Sequence, residues 1–167
     1  MEERAELHSG SVDFIATDEY MSRPPMPPTF VFMFDVSQPA VESGYLRMAA
    51  ETIKGIIEED ALPGGERTRV CFLAFDKQLH FFNLRSTNKQ PQILSVADTS
   101  DIFLPQPEDL LVNLSDSRDL VLTMLDNLEN YFSAKSGHPK TQESCFVAAM
   151  TAGHRIVKHI GGKMMLF

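Results

Sequence analysis

Two stretches limit the fold of this chain more than any other feature: "TFVFMF" at 29–34 and "RVCFLAF" at 69–75. Each is a near-continuous apolar run, which marks a strand covered on both faces; a sheet with one wet face would alternate polar and apolar residues. Between them, positions 41, 45, 48, 49, 52, 53, 56 and 57 recur at helical spacing. Ser37 is a predicted N-cap, and Pro39 suits a first helical turn, where backbone amides lack intrahelical partners. Buried strand, amphipathic helix, buried strand predicts an α/β three-layer sandwich: a mostly parallel sheet flanked by helices.

The rest of the chain extends that pattern. "DKQ" turns the second strand into "LHFFNL", giving an antiparallel hairpin at an edge. Residues 85–117 then read as an insertion, with "QILSVAD" a candidate strand and "DIFLPQPEDLLVNL" mixing proline with apolar residues. Helical spacing returns at Leu120, Val121, Met124, Leu125, Leu128 and Phe132, with Ser115 or Ser117 as caps. A further helix is predicted with Phe146, Val147, Met150, His154, Val157 and Ile160 on one side; "GG" at 161–162 ends it and "KMMLF" starts a strand. Upstream, "SVDFIA" is a candidate edge strand and "RPPMPP" at 23–28 a stiff connector. Residues 1–28 are thus a lead segment. Residues 29–167 are expected to be the front part of a domain whose sheet continues past Phe167.

Composition narrows the function classes. With 43% apolar residues the chain is not a disordered tail, and a net charge of -8 disfavours nucleic acid, whose phosphates need a basic surface. "MEERAELHSG" is charged where a signal peptide would be apolar, and nothing approaches the roughly 20 apolar residues of a bilayer span. The expected location is the cytosol or the cytosolic face of a membrane. Cys71 and Cys145 both sit in apolar runs and read as reduced thiols. His154 and His159 fall roughly 140° apart around a helix, so they do not converge on a metal.

The candidate site is Asp35 with Ser37, at the carboxyl end of the first strand, where α/β sheets hold ligands. A strand that delivers Asp-x-Ser resembles the opening of a metal-binding von Willebrand A-domain. That resemblance implies a second serine, a threonine from a later loop and a further aspartate. Pro39 stands where the second serine would be, and Gln142 where the threonine would be. A cation of the magnesium class needs near-octahedral oxygen coordination, so the site is expected to be degenerate and metal-free. Asp35 would then accept an amide at the helix start, with Ser37 as cap. Cys145 lies ten positions before the next arginine, Arg155, and no phosphate cradle or nucleophile-base pairing is visible, so an enzyme is not expected. The alternative is a cation-dependent A-domain binding module.

Several longer stretches share one resemblance. "RPPMPPTFVFMFDVSQPAVESGYL", "RTRVCFLAFDKQLHFFNL", "QPQILSVADTSDIFLPQPEDLLVNL" and "GGKMMLF" resemble, in order and spacing, the trunk domain of the cargo-adaptor subunit of the inner COPII coat. The resemblance covers essentially the whole chain, and "FLPQPEDLLVNL" is its most specific piece. It implies an A-domain-like trunk without its metal site, joined as a heterodimer to the GTPase-activating subunit of that coat. Cargo sorting signals would be bound through other regions of the full-length protein, and membrane association would be peripheral, through the coat at endoplasmic reticulum exit sites. It also implies no cofactor in this chain, but a structural zinc in a preceding domain. Arg4 corresponds to the edge of a cargo pocket, and Phe103, Leu104, Leu110 and Leu111 of the insertion are candidates for partner contact.

Overall fold

The computed structural model describes residues 10–11, 17–20, 25–133, 137 and 141–167. Arg4 lies outside these residues, as does nearly all of the predicted strand "SVDFIA". In chain order the elements are β1 (Thr29–Asp35), α1 (Gln38–Glu42), α2 (Tyr45–Glu58), β2 (Arg69–Phe75), β3 (Leu79–Asn83) and β4 (Gln92–Val96). They are followed by α3 (Pro107–Leu110), β5 (Val112–Asn113), α4 (Leu114–Phe132), α5 (Phe146–Val157) and β6 (Lys163–Leu166).

The strands form one sheet in the order β4-β3-β2-β1-β6, with the short β5 also pairing β2. β1 runs parallel to β2 and to β6, whereas β2, β3 and β4 form an antiparallel meander. The predicted α/β sandwich is therefore present, with a parallel centre and an antiparallel edge. Side chains alternate across β1 and sort by size. Phe30, Phe32 and Phe34 point towards α2 and α4, while Val31 and Met33 point towards α5. On the first face, Phe32 and Phe72 stack with ring centroids 5.0 Å apart, and Phe34 lies 5.7 Å from Phe167. Such pairs contribute about 1 kcal/mol each beyond the area they bury.

The predicted helix after β1 is two helices. Gly44 takes the left-handed conformation (φ 77°) between α1 and α2, a conformation that costs glycine little. This break resets the helical phase, so Leu46, Ala49, Ala50, Ile53 and Ile57 face inward, while Tyr45 and Met48 are exposed. The end of α2 is also set by a left-handed residue. Asp60 is itself left-handed (φ 50°), with Ala61 N–H donating to the Ile56 carbonyl and Asp60 N–H to that of Ile57. This is the Schellman closure, here made with aspartate in place of glycine. Asp60 then pairs with Arg118 of α4, and Lys54 pairs with Glu58 and, at 2.6 Å, with Asp126. The acidic end of α2 is thus stitched to α4.

Two further expectations are corrected. The N-cap of α4 is Asn113, not Ser115 or Ser117: its Oδ1 accepts from Ser115 N–H at 2.8 Å. Ser117 is buried inside the helix instead. In α5 the inward face is Ala148, Ala149, Ala152, Gly153 and Val157, whereas Phe146, Val147 and His154 are exposed. A Cβ added at Gly153 would lie 3.0 Å from the sulfurs of both Met33 and Met164, so α5 approaches the sheet too closely for larger residues.

Candidate functional site

At the mouth of the sheet, β1 ends by delivering Asp35, which is half-buried, to the loop entering α1. Asp35 Oδ1 accepts from Ser37 N–H at 2.8 Å, a turn closed by the aspartate's own side chain. Its Oδ2 lies 3.4 Å from the hydroxyl of Ser144, and the Gln38 amide reaches the Thr141 carbonyl at 2.8 Å. The first loop and the loop before α5 are therefore held against each other by Asp35 and by the backbone. Ser37 is buried, but its side chain makes no capping hydrogen bond, so the carboxylate rather than the serine hydroxyl organises the start of α1. Here the expectation that Ser37 caps is corrected, and the expectation that Asp35 accepts an amide is met.

Of the residues expected around a cation, Pro39 is exposed and has no side-chain oxygen, and Gln142 is exposed. Ser144, two positions beyond Gln142, is the side chain that approaches Asp35. Both carboxylate oxygens of Asp35 thus meet donors of the chain itself, and this set does not fit the oxygen shell of a divalent cation. Among the described residues there is no group of three or more His, Cys, Asp and Glu that could hold a metal.

Beside this mouth lies a buried polar network that sequence reasoning missed. Asp76, 1% exposed at the end of β2, accepts the Gln78 amide at 2.8 Å, and its Oδ1 lies 3.2 Å from His80 Nε2. The other ring nitrogen, Nδ1, lies 2.8 Å from Ser95 Oγ on β4, the cross-strand partner of His80. The only sequence signal for this is Asp-x-x-x-His in "DKQLH". The Asp76 carbonyl also accepts the Cys145 amide at 2.6 Å, tying the start of α5 to β2. Cys145 is free and half-buried, and its thiol is pushed up to about 11, first by burial and then by the charge of Asp76. Cys71 is free and buried, and burial raises it to about 12. A nucleophilic cysteine needs the opposite shift, towards thiolate at neutral pH.

Residues 25–167 match the Sec23/Sec24 trunk domain. The chain belongs to this family. It is 46% identical to the Arabidopsis thaliana protein transport protein SEC24 A over all of its length, which is 16% of that relative. It is 40% identical to human protein transport protein Sec24A over 98% of the chain, which is 14% of the human protein. The structure of the human COPII-coat protein Sec24c superposes with a TM-score of 0.77 at 36% identity, over 92% of this chain and 21% of that one. The chain is therefore a trunk segment of the Sec24 type, as its longer motifs suggested, and it spans a small fraction of the proteins it matches.

Within this trunk the insertion divides in a way that corrects part of the partner-contact reading. Leu110 is 1% exposed and belongs to the α5-side core, so no partner can reach it without unfolding α3. Leu104 and Leu111 pack, half-buried, on the same core. Phe103 is 65% exposed and is the most open of the four. Ile102, its neighbour, is buried, and its carbonyl accepts from Arg155 of α5, which fixes the loop that carries Phe103.

Proposed function

We propose that this chain is the trunk segment of a non-enzymatic cargo adaptor of the COPII coat, serving protein export from the endoplasmic reticulum. It acts by associating with the GTPase-activating subunit of the inner coat. The observation that carries this reading is identity of 46% and 40%, end to end, with proteins named for protein transport. The mouth of the sheet supports it from the other side, because the carboxylate of Asp35 is used to close its own loop on Ser37 and to meet Ser144 of a second loop. What remains is a rigid sheet with exposed edges and loops, and lasting association through such a surface buries roughly 1,200 Å² or more. Cargo signals would be bound elsewhere in the full-length protein, with Arg4 bordering such a pocket. A structural zinc would sit in a preceding domain, and the protein would work on the cytosolic face of the membrane through the coat. Among the described residues, no helix is long and apolar enough to cross a bilayer.

The test is capture of the purified GTPase-activating coat subunit by the full-length protein, with and without residues 29–167. Capture that depends on this segment is the expected result; equal capture without it overturns the reading. The cation-dependent alternative is settled by calorimetric titration with magnesium or manganese. No saturable heat is expected, whereas saturable heat that Asp35→Ala abolishes would restore the adhesion-type site.

A further inference from the structure

We draw no further inference here: the strongest candidate, the open cavity between residues 99–102 of the insertion and the start of α5, lined by Thr99, Ser100, Ser144, Thr151 and Arg155, rests on a helix N-terminus alone, since Arg155 is already engaged by the Ile102 carbonyl and no buried side chain among the described residues lacks a hydrogen-bond partner that a ligand would supply.

Discussion

The two faces of the sheet are built from different materials. The face under α2 and α4 is filled with large side chains: Phe30, Phe32, Phe34 and Phe72 from the strands meet Ile53, Ile57, Val121 and Leu128 from the helices. The face under α5 is filled by proximity. Ala148, Ala149, Ala152 and Gly153 let the helix backbone descend onto Met33 and Met164, and the part of the face that α5 does not reach is covered by Ile102 and Leu110 of the insertion. The first face gains its stability from buried area, the second from closeness of approach. They should therefore fail in opposite ways.

The largest effect is expected from truncation on the first face. Leu128→Ala, at a fully buried position, should cost about 3 kcal/mol in urea denaturation, the sum of lost transfer energy and the cavity left behind. On the second face the damaging change is enlargement. Gly153→Leu should cost about 2 kcal/mol, because both methionine sulfurs already stand where a Cβ would press. If Gly153→Leu were neutral, α5 would have to sit further from the sheet and the contrast would collapse. A smaller effect is expected where α4 begins: Asn113→Ala should cost about 1 kcal/mol by releasing the amides of Ser115 and Asp116. The smallest effect separates helical pattern from actual burial. Val147, 74% exposed, should tolerate Val147→Ser within about 0.5 kcal/mol, although its spacing places it on the predicted inner face. A loss comparable to Leu128→Ala would mean that α5 is rotated.

The same contrast explains what was legible beforehand. The inward face of α4, though not its cap, was legible because its residues are large and apolar, so burial and hydrophobic periodicity coincide at Val121, Met124, Leu125, Leu128 and Phe132, with Leu120 half-buried at the margin. The inner face of α5 was legible only at Val157 and, in part, Met150, because alanine and glycine carry almost no hydrophobic signal, while the apolar Phe146 and Val147 outside it carry a strong one. In α2 the stripe slipped because one left-handed glycine, Gly44, is invisible to a periodicity count. At the mouth, the missing oxygen of Pro39 was evident from its type alone. That Ser144 rather than Gln142 would meet Asp35 depended on how a distant loop is held.

The amino-acid order by itself determined the central strands β1 and β2, their burial on both faces and the loss of a hydroxyl at position 39, because each follows from local residue type and spacing. Tertiary structure alone decided which face of α5 is inside, which insertion residue stays in solvent, and that Asp76, His80 and Ser95 form one buried line. Those outcomes depend on distances between segments far apart along the chain, and close packing settles them only once all the segments are in place.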